Sequence, residues 1–112
     1  MARPAALKSF DVSTVPATAD LVGQLVNWQS QLHVERRASR HTISAYLRDV
    51  SAFVAFLSEH CGGPVALATL FTLKPGDFCA WLAMRSVSGY ARSSTARALS
   101  SVRMFFRYLE RE

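Results

Sequence analysis

The chain has 112 residues, of which half are hydrophobic and 19% are charged, a composition typical of one globular domain rather than of a disordered tail. Its apolar runs, such as Ala52–Leu57, are too short to cross a bilayer, and no apolar signal-peptide core follows the first basic residues. The formal net charge is +5, and between Asp77 and Glu110 five arginines occur without an acid. Such a one-signed stretch favours a polyanion such as nucleic acid as partner over a merely solvated face.

Two elements are predicted ahead of residue 39. Residues 1–17 are rich in Ala, Pro, Ser and Thr without periodicity, so we expect a flexible N-terminal arm. A helical pattern then begins at Thr18, which can cap the helix, with Asp20 in the positive first turn. The apolar residues of this helix recur at spacings of four, three and four and share one face: Leu21, Leu25, Trp28 and Leu32.

The second predicted helix starts at Ser39, whose hydroxyl can cap it, and ends at Cys61-Gly62-Gly63-Pro64. The glycines there permit a positive φ, and the proline cannot continue a helix. Between these limits runs an apolar stripe at helical spacing: Ile43, Tyr46, Leu47, Val50, Phe53, Val54 and Leu57.

Two further helices are predicted in the last third of the chain. A short apolar piece, Val65–Leu73, can hold one turn, and Pro75 fits the first position of a third helix that ends near Ser88-Gly89. A fourth helix begins between Ala91 and Ser94. The residues predicted to point inward from these two helices are Phe78, Trp81, Leu82, Leu99, Val102, Phe105, Phe106 and Leu109. With no β-alternating run, the sequence predicts an all-α, four-helix bundle over residues 18–112.

The outward faces of the second and fourth helices carry small and hydroxylated residues around arginine. On the second helix they are His41, Ser44, Ala45, Arg48, Ser51, Ala52 and Ala55, and on the fourth Ser93, Ser94, Arg97, Ser100, Ser101 and Met104, flanked by Arg103, Arg107 and Arg111. Hydroxyls and helix N-terminal amides bind phosphate oxygens, arginine binds phosphates or guanine edges, and a helix fits the major groove. These faces favour DNA binding. A helical protein-interaction module stays open, because Ser/Ala-rich faces also pack against other helices.

The remaining chemistry-bearing residues indicate no metal, cofactor or catalytic site. Cys61 and Cys79 lack a CxxC spacing, so we expect reduced thiols of a cytoplasmic protein, at least one of them in the core. His33, His41 and His60 lack metal-ligand spacing and a carboxylate companion.

Two long motifs resemble the N-terminal core-binding domain of the tyrosine recombinases, closest to the bacterial XerC/XerD branch. Residues 39–50, SRHTISAYLRDV, with Phe53 and Phe56-Leu57 after them, resemble the pattern S-x-x-T-x-x-x-Y-x-x-D-L…F…FL. Residues 94–109, STARALSSVRMFFRYL, resemble S-I-x-R-x-L-S-A-L-R-x-F-F-x-Y-L. The first helix, with Trp28 and Glu35-Arg36-Arg37, fits the family's lead-in. The match covers residues 18–112, although Ala91 stands where the family often has a Ser or Thr cap.

The resemblance implies a SAM-like bundle that forms half of a C-shaped clamp around double-stranded DNA, with the second and fourth helices crossing the major groove. Carried over by motif position, the DNA-binding residues are Arg40, His41, Thr42, Ser44 and Arg48, then Ser93, Ser94, Arg97 and Ser101, with Arg92 and Arg103 as further phosphate contacts. It also implies that the full-length protein pairs with a sister recombinase in a tetrameric synapse. The implied role is chromosome-dimer resolution during cell division, without metal or cofactor.

In that family the nucleophilic tyrosine and its arginine, lysine and histidine partners lie in a second, C-terminal domain. We therefore expect no catalytic residue in this chain, and none of Tyr46, Tyr90 and Tyr108 to be a nucleophile. The sequence predicts the DNA-binding domain of a longer recombinase, itself not an enzyme. A core-binding domain of a phage or integron integrase is the alternative with the same fold.

Overall fold

The computed structural model describes residues 11–35 and 37–111, and this part of the chain is helical almost throughout. A 3₁₀ turn at Val12–Thr14 is followed by α1 (Ala19–Glu35), α2 (Arg40–Cys61), α3 (Leu67–Leu70), α4 (Pro75–Val87) and α5 (Arg92–Arg111). The described residues form no strand. The all-α bundle predicted from the sequence is confirmed, and the one-turn α3 lies inside the piece expected to hold a single turn.

The helix ends follow the local signals in the sequence. Ser39 has an extended backbone, and its Oγ accepts a hydrogen bond from the Thr42 amide at 3.1 Å, which caps α2. Gly62 closes α2 in the left-handed conformation, with φ of +86°. Pro75 opens α4, and Asp77 Oδ2 reaches back to accept from the Lys74 amide at 2.8 Å. All these predicted ends are confirmed.

The core lies where α1, α2, α4 and α5 meet around aromatic side chains. The Trp28 and Phe105 ring centroids are 5.0 Å apart, and those of Phe53 and Trp81 are 4.8 Å apart. Each such large apolar side chain, when fully buried, contributes on the order of 2–3 kcal/mol to stability. Four of the residues predicted to point inward are only half-buried and line a groove between α4 and α5: Phe78, Leu82, Leu99 and Phe106.

The prediction of a flexible arm over residues 1–17 is wrong for the part of that segment that the structure describes. Val12 and Val15 are buried in the core. Val65 accepts from the Thr18 amide at 2.9 Å and donates its own amide to the Pro16 carbonyl at 3.0 Å. Composition could not reveal this packing, because the partner residue lies almost fifty positions downstream. Residues 1–10 lie outside the described residues.

Two smaller findings complete the fold. Cys61 and Cys79 are both free and both exposed, so the expectation that one of them lies in the core is wrong. Cys79 lies on the outer side of α4, away from Trp81. Across the described ranges, no helix combines the length and the apolar character that a membrane span requires.

Candidate nucleic-acid interface

The exposed ridge of α2 carries three of the five contacts predicted on this helix. Arg40, His41 and Arg48 are all exposed, and Ala52 and Ala55 continue the ridge with small side chains. A ridge with so little bulk lets a helix backbone approach a flat or grooved partner closely. The fourth contact, Thr42, is half-buried, and its Oγ1 accepts from Ser39 Oγ at 3.0 Å within the N-terminal cap.

Ser44, predicted to face outward from α2, is buried at 7% exposure, and its assignment as a DNA contact is corrected here. Ser51, one helical repeat further along the same side, is buried at 6%. Next to Ser51, the N-terminal segment packs alongside α2, and its Thr14, Val15 and Pro16 line a hollow together with Arg48 and Ser51. A helix face that is polar in the sequence is thus partly buried in the fold.

A three-residue network joins α2 to α5 next to this ridge. Arg97 donates from Nε to Asp49 Oδ2 and from Nη2 to Asp49 Oδ1, both at 3.0 Å, in the two-pronged geometry that suits a guanidinium and a carboxylate. Ser101 Oγ donates to Asp49 Oδ2 at 3.0 Å. The hydrogen bonds to the Asp49 carboxylate, together with its negative charge, raise the pKa of Arg97, so this guanidinium stays charged.

This network changes the roles predicted for Arg97 and Ser101. The Asp49 side chain is only 6% exposed, whereas that of Arg97 is 54% exposed, so the arginine neutralises a buried carboxylate and still presents an outer edge to solvent. Two of its five N–H donors are used, and the others can serve a phosphate. Ser101 is fully buried and bonded to Asp49, so its assignment as a DNA contact is wrong.

The predicted contacts of α5 fall on two different sides of that helix. Ser93 is exposed on the side near Arg97. Arg92 and Arg103 are exposed as well, but they line the hollows between α4 and α5. At about 100° per residue they lie roughly 120–140° around the helix from Arg97. Arg92 and Arg103 therefore do not form one continuous surface with Arg97 and the ridge of α2.

Ser94, the remaining predicted contact on α5, is half-buried and hydrogen-bonded to Arg85, one of the five arginines in the stretch without an acid. Arg85 on α4 is 3% exposed and donates from Nη2 to Ser94 Oγ at 3.1 Å and from Nε to Thr95 Oγ1 at 2.9 Å. Its Cζ lies 4.1 Å from the Tyr90 ring centroid. The signal available in the sequence was its spacing, because Arg85 follows the buried Trp81 by four residues and so shares its helix face.

The two helices are aligned so that their N-terminal halves lie on the same side of the bundle. Asp49 of α2 meets Arg97 and Ser101, and four residues further on Phe53 meets Phe106, so the contacts advance in the same direction along both helices. The sequence between residues 40 and 58 and between 92 and 109 contains one carboxylate, Asp49, which is the neutralised one. The combined surface is thus cationic.

His60 has a carboxylate companion that was not expected from the sequence, since its Nε2 lies 3.1 Å from Asp77 Oδ1. No three of the His, Cys, Asp and Glu side chains that the structure describes come together as a metal site would require. Tyr108 is buried in the core, Tyr46 is half-buried against it, and Tyr90 lies beneath Arg85.

Comparison with known proteins gives a consistent result. Residues 25–112 match the family model described as the phage integrase N-terminal SAM-like domain. The tyrosine recombinase XerC of Rhodospirillum centenum is 41% identical over 92 residues, 82% of this chain and 27% of that protein. XerC of Methylobacterium sp. (strain 4-46) is 39% identical over 106 residues, 95% of this chain and 33% of that protein. The chain thus spans about a third of these curated relatives. No solved structure gives a significant match.

Proposed function

Since this chain belongs to the family of phage integrase N-terminal SAM-like domains, and its relatives are XerC tyrosine recombinases, we propose that it binds duplex DNA as the N-terminal half of a recombinase clamp. One observation carries this proposal. The N-terminal halves of α2 and α5 lie on one side of the bundle, with Arg40, Arg48 and Arg97 presented to solvent and the single carboxylate between them buried and neutralised. A surface of this charge suits the phosphate backbone.

The contact set that we propose is smaller than the one predicted from the sequence. It comprises the residues of the predicted set that keep an exposed or half-exposed side chain on the α2/α5 side: Arg40, His41, Thr42, Arg48, Ser93, Ser94 and Arg97. Arg92 and Arg103 are proposed as peripheral phosphate contacts because they lie toward α4.

We assign strand cleavage and rejoining to the part of the recombinase that this chain does not span. In the full-length protein the clamp half would orient the DNA for that chemistry and pair with a sister recombinase in a tetramer, as in chromosome-dimer resolution. Incubated with a nicked suicide substrate, this chain should form no covalent adduct. An adduct on Tyr46, Tyr90 or Tyr108 would contradict the assignment.

Duplex binding is tested by fluorescence anisotropy across a range of salt concentrations. With about four phosphate contacts, log K should fall against log salt with a slope of about −3 to −4, and the Kd should be on the order of 10⁻⁶–10⁻⁴ M at physiological salt. Arg48→Ala should weaken binding and reduce the slope by about one. Lys74→Ala, which removes the same charge from an exposed position before α4, is the matched control.

A second candidate function is favoured by the apolar groove between α4 and α5. Leu73, Phe78, Leu82, Leu99 and Phe106 line it together with Arg103. A groove of this kind suits the apolar face of a partner helix. Duplex affinity that stays flat from low to physiological salt would favour such a protein-interaction module over the clamp.

A further inference from the structure

Arg85 is a buried cation without a buried anion. It is 3% exposed, and within the described part of the chain no carboxylate lies within ion-pair distance of it. Its two hydrogen-bond acceptors are the hydroxyls of Ser94 and Thr95, and the Tyr90 ring covers its face. Hydroxyls and a ring face reduce the cost of burying a guanidinium, but none of them carries a negative charge.

The direction of these hydrogen bonds decides what the two hydroxyls can still do. Ser94 Oγ and Thr95 Oγ1 both accept from Arg85, so each keeps its own O–H as a donor. A hydroxyl whose lone pair is held by a cation is polarised toward stronger donation. Ser94 is half-buried in the first turn of α5 beside exposed Ser93, and its remaining donor suits an anionic oxygen.

We propose that Arg85 is a positioning residue for DNA binding, which orders and polarises Ser94 and Thr95 so that the first turn of α5 donates to a phosphodiester of the duplex. The inference rests on the proposed function, because it assigns one phosphate contact within that surface. Arg85 acts through the hydroxyls, since it is too deeply buried to reach the phosphate itself. Ala91, which precedes α5, has no side chain that could order this turn instead.

The test compares Arg85→Met, Ser94→Ala and the double variant with the wild-type chain. Anisotropy titrations use a fluorescein-labelled duplex of about 30 base pairs and arbitrary sequence, because phosphate contacts do not depend on sequence. Lys74→Met is the matched control for the lost charge, and Ser30→Ala, an exposed serine on α1, is the control for the lost hydroxyl. Circular dichroism melts accompany every titration.

We expect Arg85→Met and Ser94→Ala each to lose about tenfold in affinity, the loss that follows when one charged hydrogen bond is removed. The affinity of the double variant should equal that of the single variant with the lower affinity, because both changes remove the same contact. Neither variant should change the salt slope by as much as one, because the contact that is removed comes from a neutral hydroxyl and Arg85 does not itself reach the phosphate. The non-additive losses of the double variant are the result that a purely structural role of Arg85 would not give. Both controls should stay within about twofold of the wild type.

Three results would overturn the inference. In the first, the wild type binds with the expected salt dependence, but Arg85→Met or Ser94→Ala binds as tightly as its control. That result would defeat the inference and leave the proposed function intact. The second is strictly additive losses in the double variant, since Arg85 would then act independently of Ser94. The third is a wild type that does not bind the duplex even at low salt, which defeats the proposed function as well. If Arg85→Met does not fold, Arg85→Lys takes its place, because lysine keeps the charge but lacks the planar fork that bonds both hydroxyls. Wild-type affinity in Arg85→Lys would then overturn the inference.

Discussion

Two arginines fix α5 to its neighbours, and they do so in opposite electrostatic settings. Arg97 reaches from α5 to Asp49 on α2, where the carboxylate is buried and the arginine is half-exposed. Arg85 reaches from α4 to Ser94 and Thr95, where the arginine itself is the buried charge and its partners are neutral. Removing Arg97 leaves an anion in the core, whereas removing Arg85 leaves only two hydroxyls. The two arginines make hydrogen bonds of similar length, but their removal should affect stability and DNA binding differently.

The largest expected effect is that of Arg97→Met, which leaves Asp49 buried without its cation. Breaking a fully buried pair costs about 3–5 kcal/mol, and because Arg97 is half-exposed, solvent screening reduces the expected loss to about 2 kcal/mol. Urea unfolding followed by far-ultraviolet circular dichroism measures it. DNA binding alone is therefore a poor test of this arginine.

The double variant Asp49→Leu/Arg97→Met is the control for that stability loss. It contains no stranded charge, so it should recover most of the stability, at the cost of the hydrogen bond from Ser101. If Arg97→Met unfolds at the same urea concentration as the wild type, the pair is only a surface contact and the contrast between the two arginines disappears.

The second effect is smaller and belongs to Arg85→Met. The methionine fills the space of the aliphatic stem, and the loss of the contact with the Tyr90 ring and of two hydrogen bonds should cost about 1 kcal/mol. Tyr90→Leu, which removes only the ring face, should cost less than Arg85→Met in the same urea experiment. A loss in Arg85→Met that exceeds the loss in Arg97→Met would reverse the comparison.

The smallest effect concerns two carboxylates that, unlike Asp49, lie at helix starts: Asp20, which is exposed, and Asp77, which is half-buried. The Thr18 hydroxyl lowers the pKa of Asp20, and the Lys74 backbone amide lowers the pKa of Asp77, with His60 contributing at 3.1 Å. A lowered folded-state pKa means that the stabilisation is complete above the usual Asp pKa of about 3.9 and is lost as the pH falls through the lower folded value.

Melting temperatures measured from neutral pH down to strongly acidic pH test this expectation. Asp20→Asn and Asp77→Asn should each flatten the decline below about pH 4 and leave the difference between the Arg97 and Arg85 variants at neutral pH unchanged. If the melting temperature of the double variant Asp20→Asn/Asp77→Asn falls as steeply with acid as that of the wild type, the acid sensitivity comes from other groups.

The helix ends could be predicted from the sequence because their determinants are local. Ser39 caps α2 by bonding an amide only three residues away, and Gly62 adopts the positive φ that ends the same helix. Pro75 opens α4 at the residue predicted. The fold class followed from apolar periodicity, which depends only on spacing. The excess of arginine in α5 was likewise visible in the sequence.

What could not be predicted depends on partners distant along the chain. Ser101 appears to be a surface hydroxyl until Asp49, 52 residues away, supplies a buried acceptor. Val12 and Val15 belong to a segment without periodicity, and their burial depends on the pairing of that segment with Val65. Arg85 contributes a positive charge to the sequence, but its side chain is buried in the fold.

The packed N-terminal segment also determines how this chain can be handled in an assay. Thr14, Val15 and Pro16 form one wall of the hollow whose other wall includes Arg48 and Ala55, so the polypeptide enters the domain beside the α2 ridge. An affinity tag or biosensor anchor fused ahead of Asp11 is tethered next to the surface proposed to hold the duplex and can obstruct it. In a Cys61→Ser variant, which removes the other exposed thiol, a thiol-reactive linker on Cys79 of α4 attaches the molecule from a different helix and leaves that ridge open.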